Sequence, residues 1–309
     1  MSEFIEQLKV LLRKGRQEQT VKKIVSNITI VHTNLGYTGN IINLDFLLNA
    51  DAVESCMSKY TTRSYKTYIG SIISVLTVMN KYEMLETYRK KLRGLKDKID
   101  AEDDSNIATE KQKEKMISYD ELVKARDNMG KKISHITKAT NQEYQDVQAY
   151  MLLCIVTMCD KVMRNQELCK MVIVSSSRDI VTKDKNYFVY NENKMYIYVY
   201  KTVKNYGLMI ANLSEELSKI IKDCLSKRST KEVLGQPLFI APGGGPLMVT
   251  RGLQRLYARA GLNITPTIVR NILATHRSGA VINDVRKAMK NAQDFGHSIA
   301  QHLRYVRFS

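Results

Sequence analysis

The chain has 309 residues, of which 48 are basic and 31 acidic, so its formal net charge is +17. With 44% hydrophobic and 26% charged residues, it is neither disordered, collagen-like nor a mini-protein, and it is long enough for one large or two medium domains. The charge also excludes an acidic protein, and only 4 prolines and 15 glycines indicate a helix-rich body.

Residues 1–98 predict a first domain that is a small bundle of four or five helices. Amphipathic helices are expected at residues 3–12, 44–58 and 81–95. The clearest pattern begins near Thr61 or Thr62. There, apolar residues recur at spacings of three and four, which places them on one helix face. They are Tyr65, Tyr68, Ile69, Ile72, Ile73, Leu76 and Met79.

Residues 99–115 are predicted to be a linker. The wider stretch 96–115 is almost free of apolar residues and contains an acidic cluster. That composition is typical of a solvated segment. Residues 116–309 are therefore taken as a second domain.

The second domain is predicted to be mainly α with a small antiparallel β-sheet, an α+β fold. Ser118 is followed by Asp120 and Glu121, acids that favour a helix start, and a buried helix is expected at 142–159. Short β-branched and aromatic runs predict strands at 170–175, 187–190, 195–200 and 208–213. Helices follow at 214–225, 250–260 and 268–276. The glycine-rich stretch 242–246 is interpreted as a connecting loop, because no Lys-Ser or Lys-Thr pair follows it.

The cysteines and the apolar runs bear on the compartment. The five cysteines form no Cys-x-x-Cys pair, and no histidine stands at metal-site spacing from them. The N-terminus lacks an apolar signal segment, and the longest apolar run, residues 149–159, is too short to span a bilayer. We therefore expect an intracellular protein with no membrane partner, no metal and no cofactor.

Positive charge is concentrated towards the C-terminus. Residues 251–309 contain ten basic residues, eight of them arginine, against two acids, whereas residues 1–100 contain 16 basic and 10 acidic residues. Because the planar guanidinium matches phosphate oxygens, this enrichment favours a nucleic acid partner. Solubility of a lysine-rich chain is the alternative explanation.

Several polar residues of the second domain are not explained by its apolar pattern. Arg-x-x-Glu is a common pair on a helix surface, and a lysine at a strand end usually solvates a turn, so each residue is a weak signal alone. Together they form an ordered set. Its members are Arg164 and Glu167 on one predicted helix face, Lys201 at the tip of a predicted hairpin, Arg270, His297 and Tyr305.

The order and local contexts of this set resemble the tyrosine recombinases, the phage integrase family, whose catalytic domain is shared with type IB topoisomerases. The family pattern is an Arg followed three residues later by an acid, a Lys in a β-hairpin, a His-x-x-Arg opening a helix, a Gly-His-Ser and a Tyr near the chain end. The resemblance covers about residues 115–309. More loosely, the N-terminal bundle resembles the family's core-binding, SAM-like DNA-binding domain.

This resemblance implies cleavage and rejoining of DNA through a 3′-phosphotyrosine intermediate, without metal or ATP. Tyr305 would attack the phosphorus, and a cationic pocket would favour loss of its proton, since free tyrosine has a pKa near ~10. Arg164 and Arg270 would each donate paired hydrogen bonds to phosphate oxygens. Lys201 would protonate the departing 5′ oxygen, a task that an ammonium can perform and arginine cannot.

The remaining members of the set have supporting roles, and the chain departs from the family in two places. His297 would donate to the phosphate, and Glu167 would hold the basic residues in place. Thr267 stands where the family commonly has histidine, which leaves the general base unassigned, with His302 or water as candidates. Only four residues follow Tyr305, so the C-terminal helix that many members exchange between protomers is expected to be absent.

Three functions follow as alternatives. A site-specific recombinase or integrase of a virus or other mobile genetic element would close both domains around double-stranded DNA and act as a homotetramer, with an accessory DNA-bending protein as a further partner. A type IB topoisomerase would use the same chemistry as a monomer. A catalytically weakened DNA-binding relative is the third, because of Thr267. The helical bundle favours the recombinase, and retention of the basic set argues against the inert relative.

Overall fold

The computed structural model describes residues 2–104, 110–230, 232–248 and 251–294. The chain divides into two compact units, residues 1–108 and 109–309. The first unit is helical, and the second is mainly helical with one small sheet. This agrees with the predicted fold class.

The first unit packs its helices around a single apolar core. The core includes Leu8, Ile28, Leu47 and Ile69, which are fully buried. One of the helices, residues 18–34, was not among those predicted from the sequence, although its buried positions follow a spacing of three and four. The helices are α1 Glu3–Arg13, α2 Glu18–Asn34, α3 Ala50–Met57, α4 Thr62–Val78 and α5 Tyr82–Asp104.

Helix α4 confirms the periodic stripe. The Thr61 side chain accepts a hydrogen bond from the Ser64 amide at 3.3 Å and caps the helix where the pattern begins. Ile69 and Ile72 are fully buried, and burying one such side chain contributes about 1.5–3 kcal/mol. The stripe therefore marks the face that α4 turns to the core.

Part of the predicted linker is helical. Helix α5 continues to Asp104, and residues 110–113 form a further short helix, α6. The stretch consists largely of Lys, Glu, Asp and Ala, and several of these propagate a helix well once an upstream turn has nucleated it. Ile99 lies within this stretch and is buried, which supports the helix against fraying.

The second unit contains helices α6–α13. Ser118 and Thr140 cap α7 and α8, and a glutamate three residues later returns the hydrogen bond in each case. Helix α8 is buried on nearly all sides, as the apolar run predicted. The helices are α6 Glu110–Lys113, α7 Tyr119–Ile133, α8 Asn141–Met158, α9 Asn165–Cys169, α10 Val203–Tyr206, α11 Glu215–Ser226, α12 Gly252–Arg259 and α13 Pro266–Asp294.

The sheet is mixed rather than wholly antiparallel. Its strands are β1 Met171–Val174, β2 Asn186–Val189, β3 Lys194–Ile197 and β4 Met209–Asn212, in the order β1-β2-β3-β4. The pairs β2–β3 and β3–β4 are antiparallel as expected, but β1 runs parallel to β2. Residues 175–185 between β1 and β2 are long enough to return the chain to the same end of the sheet.

The structure was searched for membrane-spanning helices, disulfides and metal sites. In the described ranges, no helix is both long and apolar enough to cross a bilayer. All five cysteines are free thiols, four of them buried. Those same ranges bring no three His, Cys, Asp or Glu residues together as a metal site would require.

One buried carboxylate joins three helices of the second unit. Asp146 on α8 accepts hydrogen bonds from Arg259 on α12 at 2.7 Å and from Lys132 on α7 at 3.1 Å. Burial opposes ionisation of Asp146, but these bonds outweigh it and hold its pKa below the ordinary value. The charged pair network thus fixes α12 against α7 and α8.

Asp146→Asn is expected to lower the free energy of unfolding at neutral pH by about 1–3 kcal/mol, because Arg259 loses a partly buried charged partner. A carboxyl with a lowered pKa stabilises the fold above its unfolded pKa, near ~3.9, and that contribution is lost as the pH falls. The difference between wild type and variant should therefore shrink in acid, as measured by urea unfolding from pH 7 downwards. Asp223→Asn, which removes an exposed partner of Lys227, is the control and should change little; an equal effect would contradict the assignment.

Candidate active site

Arg164 and Glu167 lie at the start of α9, directly after the segment that follows α8. Arg164 precedes the helix in extended conformation, so the two residues do not share a helix face as predicted. Instead, the Glu167 carboxylate accepts a hydrogen bond from the Arg164 backbone amide at 2.5 Å. This contact caps α9 and fixes the backbone from which the Arg164 side chain extends.

The Arg164 guanidinium contains a buried nitrogen that lacks a partner. Its Nη1 atom forms no hydrogen bond within the described part of the chain. Leaving a buried charged donor unsatisfied costs free energy, since a protein normally pairs such groups. A ligand with anionic oxygens would satisfy it.

Glu167 is 3% exposed and lies close to two arginines. Burial raises its pKa, whereas the hydrogen bond from the Arg164 amide and the charges of Arg164 and Arg270 act in the opposite direction. The opposing influence of Arg270 shows that the second predicted arginine acts on the same carboxyl. The three residues therefore belong to one electrostatic group.

Arg270 is carried by the first turns of α13. Pro266 begins this helix, and the Thr265 hydroxyl accepts a hydrogen bond from the Ile268 amide at 3.3 Å, an arrangement that favours helix initiation. Arg270 borders a small cavity together with Lys161, on the segment leading to Arg164. The side chain is half-buried.

Arg277, further along α13, ties this helix to the same segment. Its guanidinium donates to the backbone carbonyls of Cys159 at 2.8 Å and Asp160 at 2.7 Å. These contacts satisfy carbonyls near the end of α8, which a helix leaves unpaired. Arg277 therefore positions α13, which carries Arg270, against the segment that leads to Arg164. From the sequence, Arg277 was only one of the basic residues of the C-terminal region.

Lys201 lies in the connection between the antiparallel strands β3 and β4, as its predicted place in a hairpin requires. The connection is longer than a tight turn and contains α10. Tyr200 and Thr202, on either side of Lys201, line a cleft of about 460 Å³ together with Arg164 and Glu167. The loop that carries Lys201 therefore borders the two residues at the start of α9. The Lys201 side chain itself is exposed.

Thr267 lies in the first turn of α13, and its side chain is exposed. It precedes Arg270 by three residues and so lies on the same side of the helix. His276 is exposed and stacks on Tyr119 with ring centroids 3.7 Å apart. His297, His302 and Tyr305 lie outside the described residues.

Sequence reasoning missed Asn186, the first residue of β2. Its side chain is completely buried. The amide donates to the Glu167 carbonyl at 3.0 Å and to the Val199 carbonyl at 3.2 Å. In the sequence it follows Lys183, Asp184 and Lys185 and looks like an ordinary turn residue. Its contacts with Glu167 and Val199 are visible only in the structure.

Comparisons with known proteins assign no family. No protein-family model matches the chain, and no curated protein matches it. Among solved structures, the chain is similar to the crystal structure of XerA recombinase, with a TM-score of 0.34 and 15% sequence identity, over 99% of this chain and 94% of that one. A TM-score this low carries no argument about function. The functional case therefore rests on the residues themselves.

Proposed function

We propose that this chain is a site-specific DNA recombinase that cleaves and rejoins DNA through a 3′-phosphotyrosine at Tyr305, without metal or ATP. The observation that carries the proposal is the buried Nη1 of Arg164, beside Glu167, which has no hydrogen-bond partner in the part of the chain that the structure describes. The charge of Arg270 favours ionisation of the Glu167 carboxyl. The loop that carries Lys201 borders the cleft lined by Arg164 and Glu167. Guanidinium groups beside a common carboxylate, with an ammonium on a neighbouring loop, are the groups that a phosphate site needs.

The reaction requires charge stabilisation at the phosphate. As the Tyr305 oxygen loses its proton to His302 or water and bonds to phosphorus, negative charge builds on the non-bridging oxygens. Arg164 and Arg270 donate hydrogen bonds to those oxygens, and His297 adds a further donor. Nη1 of Arg164 has no hydrogen-bond partner among the described residues, so it has a donor left for one of these oxygens.

The departing group requires a proton. When the bond between phosphorus and the 5′ oxygen breaks, Lys201 transfers a proton to that oxygen, which leaves as a hydroxyl. The tyrosine then holds the 3′ phosphate as an ester. In rejoining, a 5′ hydroxyl attacks the phosphorus and returns its proton to Lys201, while the Tyr305 oxygen leaves and regains its proton from His302 or water. The ester bond supplies the energy, and no nucleotide is consumed.

Glu167 supports this group by holding the Arg164 backbone and by balancing the two arginine charges. The partner is double-stranded DNA. The active assembly is a homotetramer on a DNA synapse, with an accessory DNA-bending protein as a further partner. The chain belongs to a virus or other mobile genetic element and acts inside the cell.

The test is covalent trapping on nicked suicide substrates built from the terminal sequences of the chain's own element. Wild-type protein should form a complex that survives denaturation and leaves a free 5′ hydroxyl. Absence of any such complex would support the inert DNA-binding relative. Efficient relaxation of a supercoiled plasmid without an element terminus would instead support the topoisomerase alternative.

Thr267→His is expected to leave the rate of adduct formation unchanged or raise it, by up to about 10²-fold, the lower end of what a general base contributes. Thr267 is exposed, so the larger ring can enter the site without displacing core side chains. Single-turnover cleavage measures the effect. Thr275→His, at another exposed position of α13, is the control. Complete loss of cleavage in Thr267→His alone would show that Thr267 has a packing role.

A further inference from the structure

We propose that Asn186 is a positioning residue that holds the Lys201 loop in place relative to the turn of Arg164 and Glu167. The inference rests on the proposed function, because it concerns the proton that Lys201 supplies. Asn186 is 0% exposed. Its contacts join two segments that are far apart in the sequence.

Both hydrogens of the Asn186 side-chain amide are donated in hydrogen bonds, and its oxygen accepts one. Nδ2 donates one hydrogen to the Glu167 carbonyl at 3.0 Å and the other to the Val199 carbonyl at 3.2 Å. Oδ1 accepts from the Val199 amide at 2.8 Å. The reverse orientation of the amide would place its oxygen against two carbonyl oxygens, so the contacts determine the orientation.

These contacts extend the pairing of β2 with β3 beyond the end of the strands. Asn186 lies opposite Ile197, the last residue of β3. Val199, two residues further on, pairs both its backbone groups with the Asn186 side chain. The chain is thus held until two residues before Lys201, and the same side chain holds the backbone of Glu167.

The chemistry explains why such a connection matters. Glu167 fixes the Arg164 backbone, so a single buried amide links the phosphate-binding arginine to the proton donor. Proton transfer requires the two groups to approach within hydrogen-bond distance at the same moment, and a displacement of about 1 Å can cost about 10²-fold in rate. Asn186 touches neither substrate nor reacting atoms, so it acts through Lys201.

The experiment separates positioning from plain structural support. Asn186→Asp and Asn186→Leu are compared with wild type on two substrates, ordinary suicide DNA and the same DNA with sulfur in place of the 5′ bridging oxygen. Sulfur leaves as a thiolate and needs no proton donor. Lys201→Ala is the reference variant. Asn191→Asp is the matched control, because Asn191 lies in the turn after β2 and its amide donates to the Ser175 hydroxyl, directly after β1.

We expect the Asn186 variants to cleave ordinary DNA about 10²-fold more slowly and to regain a rate near that of wild type on the sulfur substrate, as Lys201→Ala should. Asn191→Asp should behave as wild type on both. An equal loss on the two substrates, or no loss on either, would overturn the proposal.

Hydrogen exchange provides a readout that does not depend on activity. The Val199 amide in wild-type protein should exchange more slowly than the Lys201 amide, and this protection should disappear in Asn186→Leu. If the variants do not fold, the wild-type measurement decides, since equally fast exchange at both amides would overturn the positioning role. If wild type forms no DNA adduct but Val199 is protected through Asn186, the proposed function fails while the connection between the segments stands.

Discussion

Tyr305→Phe is expected to abolish the covalent DNA complex completely, because phenylalanine has no oxygen to attack the phosphorus. DNA binding should persist, since the change removes one hydroxyl and no charge. The measurement is denaturing electrophoresis of suicide substrate reactions, alongside a mobility-shift assay of binding. Tyr82→Phe, an exposed tyrosine of the first unit, is the control and should form the complex normally.

The position of the attachment can be read directly. Trypsin cleaves after Arg304 and Arg307, so the DNA-linked peptide should be the tripeptide of residues 305–307. Mass spectrometry of the nuclease-trimmed complex would identify it. Attachment to another of the 17 tyrosines, or a complex that forms with Tyr305→Phe, would disprove the assignment of the nucleophile.

Arg164→Ala is expected to slow adduct formation by about 10²–10³-fold, the usual effect of removing one preorganised donor to the developing charge. The buried Nη1 has no hydrogen bond to lose within the described residues, so the truncation should not markedly destabilise the fold. Arg164→Lys keeps the charge but not the planar fork, and should also be slow. Single-turnover rates at saturating DNA measure both.

The matched control is Arg178→Ala, an exposed arginine of the same unit. It removes an identical charge from the surface, so any loss of DNA affinity through net charge should be common to both variants. If Arg164 stabilises charge on the phosphate, only Arg164→Ala should lower the single-turnover rate at saturating DNA. Equal rates for the two variants would show that Arg164 contributes only to general electrostatics.

Much of the fold follows from local patterns in the sequence. Helix α4 has a stripe of apolar residues at helical spacing, and α8 is apolar on nearly all sides, so burial of these segments needs no knowledge of neighbours. Caps at Ser118 and Thr140 are likewise local. The short strands were located to within a few residues by their β-branched and aromatic residues.

Two features of the structure were not predicted from local patterns. Residues 99–104 look solvated, yet they continue α5, because a helix already nucleated extends through good helix formers. The parallel pairing of β1 with β2 depends on the path of residues 175–185, which no strand pattern specifies.

For the candidate site, the ordered residues Arg164, Glu167, Lys201 and Arg270 were found by their types and order, and their roles stay predictions. The structure adds how they are held. Arg277 and Asn186 were missed, because an arginine that binds backbone carbonyls and one that binds DNA look the same in a sequence. A buried asparagine and an asparagine in a turn likewise look the same in a sequence.

The sequence by itself determined the helical character of both units, the small sheet, the excess of positive charge and the types of residue available for chemistry at a phosphate. Those properties depend on spacing and composition, which the linear chain contains. Only the tertiary structure decided which positive charges remain available to a ligand. Arg259 and Arg277 are engaged by Asp146 and by backbone carbonyls, whereas Arg164 has a buried nitrogen with no partner among the described residues. The reason is that hydrogen-bond satisfaction depends on three-dimensional neighbours, and the net charge of +17 does not contain that information.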